Sequence, residues 1–597
     1  MIYMIPGNAL LYKGDTQIAS FILYQIFPLI YVINSHTPGA DCRKRFSAEI
    51  SSPARIDKNL ISSYHIPIYH TKEYSIMCEH KTKDSLWQRL PMSSRAAFLS
   101  AVIVGLMVHL FAFSNIIPNS DGLSRIFDEQ QMTVSGRWFL HFASMFHGYL
   151  QAPGLIGGLS LLFLGASAAL IVDCLQIRSV EASVLCGGFT VAFPAMAYTY
   201  LYMFTASAYA FAIFLAVISV WLVRRMPRLF WLGAIPLACA VGTYQAYFAV
   251  AVSLALGCVI LDLLESEKDL RETVCGGFRV LGMLALGAGV YYVMMKLFLF
   301  VKGVELLSYK GMDSVGFSVG AVVAVYRDFL FYFLKPGVTG YVGKPMICLH
   351  LVLIAVAVFC VILPIIKDRL FRQPIRIVLL VVGAALMPLA FNFTQLVSES
   401  SPITRYSFVF VYLLCIALAD RKWELSLKRI HFIRILSCAC SAVLILLCAQ
   451  VCNLAYTSSA TAHRATEAFC TNLVGRVEAT EDYQKDMEVV IIGTFPRNVY
   501  HSGVEKFSAV EHYSCISDTV MQLNKHVYYY LNDWLNVPWQ EPPEETMIQV
   551  SSSEAFRTMP LYPSDGSIAI VDGRVVVKLA EVYVPKQPYE IAYENRK

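Results

Sequence analysis

Between Asn119 and His141 the chain reads NSDGLSRIFDEQQMTVSGRWFLH, a polar segment carrying Asp121, Asp128, Glu129 and Arg137 directly after a strongly apolar run at 96–116. Carboxylates close to a guanidinium suit group transfer. A carboxylate base can deprotonate an acceptor hydroxyl, and a cation can take up charge as a phosphate leaving group departs. Asp121 and Arg137 have the types for those two roles, with Asp128 and Glu129 as further carboxylate candidates. Each also has an ordinary structural reading. NSDG is a good Asx-type turn, Asp128 and Glu129 could be solvated surface charges, Arg137 could anchor the loop at headgroup level, and Trp138 could belong to an interfacial aromatic belt. Their company in one short loop favours chemistry.

Two further places carry polar side chains of the right kind. Tyr244 and Gln245 lie in GTYQAY, in the middle of a long apolar stretch, where a buried amide is costly unless it bonds a partner. They could bind substrate or cap their own backbone. Arg405 follows Glu399, Ser400, Ser401 and Pro402 in a second polar loop, where a phosphate or carboxylate partner would suit it.

The elements that position these residues are membrane helices. With 56% hydrophobic and 15% charged residues and a mean hydropathy of +0.55, the chain reads as an all-α polytopic membrane protein. A spanning helix needs about 20 apolar residues. Runs of that kind fall near 96–116, 152–174, 182–199, 203–223, 229–242, 245–264, 275–299, 346–366, 375–396, 402–419 and 432–455, which predicts about eleven spans. The net charge of +5 matters by position, and nucleic acid is not implied. Basic residues gather in alternate short loops: Arg224, Arg225 and Arg228; Lys268 and Arg271; Lys367 to Arg376; and Arg421 to Arg434. Such loops face the cytoplasm. This parity requires that 229–264 reverse near Gly242-Thr243-Tyr244-Gln245, since one long helix would send later basic clusters outward. Every candidate polar residue then lies on the outer side.

Three regions follow: a cytoplasmic or partly membrane-associated segment 1–95, a transmembrane region 96–455, and a less apolar extracytoplasmic unit 456–597. In the first region, the apolar run Ile18–Asn34 is broken by Pro28 and lacks the pattern of a secretory signal; an extra span, an interfacial helix and a leader from an upstream start codon all stay open. The last region begins with a helical stretch at 457–479. A strand at Glu488–Thr494 and a Tyr-rich helix at 517–535 follow, and the end has two β-rich runs split by Asp572-Gly573, a hairpin signal. It predicts a small α/β unit. Most of the 16 cysteines lie in spans as small apolar packing residues, whereas Cys470 and Cys515 fall in this unit and could pair there. No zinc-site spacing and no fixed-period repeat is present.

Taken together, Asp121 followed by Gly136-Arg137-Trp138, the Tyr244-Gln245 pair at a mid-chain hairpin and the outer Arg405 resemble the bacterial glucosyltransferases that convert O-antigen serotype. The ending LYPSDGSIAIVDGRVVVKL looks like the tail of Gram-positive members. The resemblance covers about residue 96 to the C-terminus. It implies a GT-C-like membrane glycosyltransferase that takes glucose, or another hexose, from a polyprenyl-phosphate donor and adds it to a cell-surface polysaccharide on the outer face of the cytoplasmic membrane. It also implies that Asp121 is the catalytic base. The family often has two adjacent acidic residues there, and here the second position is Gly122, which Asp128 or Glu129 would only partly replace. No cofactor is expected; the scattered carboxylates could hold a divalent ion or none.

Other classes stay in view. A lipid-linked sugar flippase should place ionisable groups along a path within the spans, and these spans are nearly free of charge. A surface-polysaccharide polymerase or ligase would use a similar outer loop and arginines but would change chain length. In a non-catalytic scaffold the acidic loop would be incidental.

Overall fold

In hydrocarbon a chain must satisfy each backbone N–H and C=O within itself, so long apolar runs become helices. The structure is a computed structural model and describes residues 86–307, 318–335, 343–396, 401–421, 427–496, 503–510 and 520–585. Its helices are α1 Met92–Ser114, α2 Leu140–Ser144, α3 Pro153–Cys174, α4 Val180–Ala192, α5 Ala195–Leu201, α6 Met203–Arg225, α7 Ala234–Thr243 and α8 Phe248–Leu263. After these come α9 Leu270–Lys302, α10 Val319–Leu334, α11 Gly343–Lys367, α12 Pro374–Phe391, α13 Val409–Asp420 and α14 Leu427–Glu478. Among the described residues nine helices are long and apolar enough to cross a membrane, or ten if the bent α4–α5 pair is one crossing. The protein is an all-α polytopic membrane protein with a small sheet near its end.

Three features depart from the expected spans. The run at 229–242 is a 3-10 segment, Pro227–Gly233, followed by the ten-residue α7, apolar but shorter than a full span. The long loop at 300–345 contains α10, whose Arg327 and Asp328 pair with each other at 3.0 Å and interrupt its apolar run. The last span and the helical stretch after it are one 52-residue helix, α14, about 78 Å long at 1.5 Å per residue. No proline occurs in it, and no glycine precedes Gly475.

The reversal near Gly242 is present. Helix α7 ends at Thr243, Tyr244 is extended, and a 3-10 turn Gln245–Tyr247 leads into α8. This hairpin brings the basic loops to one end of the bundle, where they bond one another. Arg225 pairs with Asp173 at 2.7 Å, Arg224 with Asp262 at 2.9 Å, Lys268 with Asp262 at 2.5 Å, Arg421 with Glu265 at 3.3 Å and Arg434 with Glu181 at 2.8 Å. Deeper in the bundle two histidines tie helices together. His109 of α1 bonds the Tyr456 hydroxyl of α14 at 2.7 Å and the Val191 carbonyl of α4 at 2.9 Å. His350 of α11 bonds the Tyr412 hydroxyl of α13 at 2.8 Å and the Phe333 carbonyl at 3.0 Å.

Beyond the bundle, α14 presents Phe469, Cys470, Leu473 and Val477 to a second apolar core. Three strands build it: β1 Val489–Ile492, β2 Ile568–Val571 and β3 Arg574–Lys578. The order is β1-β3-β2, with β1 parallel and β2 antiparallel to β3. The β2–β3 turn is made by Asp572 and Gly573 at φ 51° and 74°, the left-handed pair that a tight hairpin requires. Helices α15 Asn524–Tyr529, α16 Glu544–Ser552 and α17 Glu554–Thr558 complete the unit. Cys470 is buried in its core, whereas Cys515 and residues 1–85 lie outside the described residues.

Burial lowers the His526 imidazole to about 4, with a smaller push from Lys525. The ring is therefore neutral, and its Nδ1 accepts the amides of Gln522 at 3.1 Å and Leu523 at 3.2 Å. A folded-state value below the ordinary one, about 6.5, means that this stabilisation is complete above about pH 6.5 and is lost as pH falls towards 4. The C-terminal unit should unfold at a lower temperature at pH 5 than at pH 7. His526→Asn, whose side-chain oxygen also accepts those amides, should flatten that dependence in a thermal melt.

Arg376, 2% exposed, donates to three carbonyls at the end of α8 and in the loop after it: Glu265 at 2.5 Å, Lys268 at 2.6 Å and Leu263 at 3.4 Å. Leaving buried acceptors unmatched costs about 1–3 kcal/mol each. Arg376→Met should lower the melting temperature of the detergent-purified protein, and Arg376→Lys should restore only part of it, because an ammonium lacks the planar fork.

Candidate active site

At the end of the bundle opposite the ion pairs, residues 115–152 fold into a plug. Its two limbs are joined by an antiparallel bridge between Phe127 and Leu150. The Asp128 amide donates to the Tyr149 carbonyl at 3.0 Å and the Gln151 amide to the Ile126 carbonyl at 2.8 Å. Asp121 sits in a single 3-10 turn, Ser120–Gly122, capped by the Asn119 side chain, which accepts the Gly122 amide at 2.7 Å. The Asx reading of NSDG therefore holds for Asn119, and Asp121 is exposed. Among the described residues its carboxylate makes no hydrogen bond or ion pair.

The other two carboxylates are engaged within the plug. Asp128 pairs with Arg125 at 2.8 Å and accepts the Gln130 amide at 2.8 Å. The Glu129 carboxylate accepts the Gln131 amide nitrogen at 2.6 Å, and its carbonyl bonds His141 at 2.7 Å. Both hold loop geometry, which leaves Asp121 as the one of the three whose carboxylate is not engaged among the described residues.

Arg137 lies deeper. Its guanidinium stands 4.7 Å from the centre of the Tyr244 ring and donates to the Tyr209 hydroxyl at 3.4 Å. Tyr209 and Tyr244 stack at 4.8 Å, with Tyr247 edge-on to both. A cation over an aromatic face is held without losing its charge, so the site has a positive floor. The Asp121 turn meets the same helix: a side chain at Gly122 would lie 3.3 Å from Phe204. Phe204 and Tyr209 are both on α6, about 7.5 Å apart along its axis.

Gln245 joins three elements. Its amide nitrogen donates to the Ser135 carbonyl at 2.8 Å and to the Tyr291 hydroxyl of α9 at 3.2 Å. The backbone beside it is crowded. Gly136 has φ +75°, and a Cβ there would meet Tyr291 and Gln245 below 3.0 Å; a Cβ on Gly242 would lie 2.6 Å from Trp138. Trp138 is buried, stacks on Phe298 at 5.4 Å, and is followed by the Phe139 amide, which donates to the Gly242 carbonyl at 2.8 Å. It is a packing residue between the plug and the hairpin rather than part of an exposed belt.

The structure thus brings Arg137, Trp138, Tyr244 and Gln245 into one cluster. Arg405, partly exposed in the 3-10 segment Pro402–Phe408, adjoins it because this segment packs against Gln245–Tyr247. Glu399 and Ser400 lie outside the described residues. Tyr209, Ser135 and Tyr291 have no distinguishing signal in the sequence, since a tyrosine in an apolar helix reads as packing.

The region that builds this cluster, residues 110–419, matches the family model described as Glucosyl transferase GtrII. The chain belongs to this family of glucosyltransferases. The match covers just over half of the chain and includes the whole plug from Asn119, the hairpin tip and Arg405, while the C-terminal unit lies beyond it. No curated protein and no solved structure matches it. This glucosyltransferase-family member is a multi-pass membrane glycosyltransferase.

Gly242→Ala should separate the plug from the hairpin by forcing Trp138 out of its slot. Transfer activity should fall at least about tenfold while the protein still reaches the membrane. Wild-type activity in that variant would show that the close approach is dispensable.

Proposed function

We propose that this enzyme transfers glucose, or another hexose, from a polyprenyl-phosphate donor to a cell-surface polysaccharide at the outer face of the bacterial cytoplasmic membrane. Asp121 takes the proton from an acceptor hydroxyl, whose oxygen forms a bond to the anomeric carbon. The bond from that carbon to the phosphate oxygen breaks, and polyprenyl phosphate leaves with the electron pair. Arg137, with Arg405 beside the hairpin tip, offsets the charge that develops on the phosphate.

The observation that carries the reading is the pairing, within one plug, of an exposed carboxylate and a guanidinium held over an aromatic floor, both seated on α6. Its outer location is supported by the charge pattern, because the Arg- and Lys-rich short loops gather at the opposite end and such loops face the cytoplasm. A lipid-borne donor is supported by an apolar groove of about 630 Å³ along α9, lined by Gly282, Leu286, Gly289, Val290, Val293 and Met294 among others. Exposed Phe127, Phe142, Met145 and Phe146 on the plug suit contact with the lipid interface.

The test is transfer of radiolabelled glucose from polyprenyl-phosphate glucose to surface polymer in membranes carrying the wild type, Asp121→Asn or Arg137→Met. Loss of a general base lowers rates by about 10²–10⁴-fold, so Asp121→Asn should be nearly inactive at an unchanged protein level. Arg137→Met should weaken transfer with a raised KM for the donor. Full transfer by Asp121→Asn would discard it as the base, and a change of polymer length instead of side-branch content would replace the reading with a polymerase.

A further inference from the structure

The C-terminal unit, which the family match does not include, reaches into the plug two residues from Asp121. Leu123 is fully buried and belongs to the same packed cluster as Phe469, Tyr530 and Leu531 of that unit rather than to the bundle's core. The Trp534 indole N–H donates to the Leu123 carbonyl at 2.9 Å. Trp534 is itself braced by Tyr530, stacked at 6.3 Å, and by His463 of α14 at 5.9 Å. The docking is reciprocal, for Val510 of the C-terminal unit is buried in the core of the bundle. Helix α14 runs unbroken through both cores, so the two contacts have a rigid common support.

We infer that the C-terminal unit is a positioning element of the active site: through Trp534 and Leu123 it holds the Asp121 turn against α6. The turn has one side-chain cap, from Asn119, and one apolar seat, Phe204. A single 3-10 turn with an exposed carboxylate is free to fray, and a carboxylate must stay within hydrogen-bond reach of the acceptor hydroxyl to act as its base. Anchoring Leu123 from above closes the remaining side. Trp534 touches no substrate in this scheme and acts only through the turn.

This inference rests on Asp121 being the base, and the experiment separates the two. Trp534→Phe keeps an aromatic side chain, though a smaller one, and removes the N–H; Leu123→Ala keeps the backbone and empties the anchor. Using the full-length protein in detergent, hydrogen exchange at the amides of residues 119–125 is followed beside kcat and KM for transfer. Trp534→Phe should speed exchange there and lower kcat about fivefold, the equivalent of one hydrogen bond, with the donor KM unchanged. Leu123→Ala should do more of both. In an Asp121→Asn background Trp534→Phe should cost nothing further, since no base remains to be positioned. Unchanged exchange in both variants, or a kcat loss without faster exchange, would overturn the inference. Transfer retained by Asp121→Asn would remove the base assignment and with it the catalytic part of the inference, while the exchange data alone would decide whether the unit holds the turn.

Discussion

The carboxamide of Gln245 is the point on which the plug end of this bundle is assembled. A hairpin whose tip breaks helical geometry among membrane helices leaves backbone groups that need partners, and such breaks persist where protein surrounds them. Here the plug supplies one partner, the Phe139 amide on the Gly242 carbonyl, and Gln245 ties plug and tip together. Gln245 follows the break directly and spends its amide on Ser135 of the plug and Tyr291 of α9. The same contact fixes the left-handed backbone at Gly136, which turns the chain so that Arg137 falls over Tyr244 while Trp138 enters the slot at Gly242. Plug, tip and α9 are therefore one unit, and a fault in any of them displaces the guanidinium.

The helical bundle was legible because lipid solvation leaves little choice: runs of apolar residues longer than about 17 have to be helices. The reversal at Gly242 followed from charge parity alone, and the ion pairs of Arg224, Arg225, Lys268, Arg421 and Arg434 give that parity a physical form. Lengths were less legible. Helix α14 continues from the bundle into the C-terminal unit because no residue stops it, and a change from apolar to polar composition marks a change of solvent rather than the end of a helix. Helix α10, absent from the expected spans, carries Arg327 and Asp328 within its apolar run, and the two pair with each other.

In the site, residue type told less than surroundings. The sequence put Asp121 ahead of Asp128 and Glu129 by resemblance, and contacts separate them physically: a carboxylate that already accepts a backbone amide and an arginine is occupied, whereas one on the outside of a capped turn is available. Trp138 next to Arg137 suggested an interface anchor, but the Gly242 slot makes it a buried wedge. Trp534 carried no signal at all. Its partner is a backbone carbonyl 411 positions earlier, and no local pattern records such a bond.

The two ends of the bundle solve the same problem in opposite ways. At the basic end, arginines and lysines meet carboxylates from neighbouring loops, and Arg376 is consumed by three carbonyls. The carboxylates offset the charge of the side chains they meet, whereas the carbonyls that bind Arg376 hold it in place by hydrogen bonds alone. At the plug end, the Arg137 guanidinium has the face of Tyr244 and the hydroxyl of Tyr209 among its partners. An aromatic face orients a guanidinium by its quadrupole, whereas a carboxylate orients it and also offsets its charge. At the plug end the carboxylate of Asp128 is given to Arg125, and the tyrosines at 209, 244 and 247 form the aromatic packing in which Arg137 is seated.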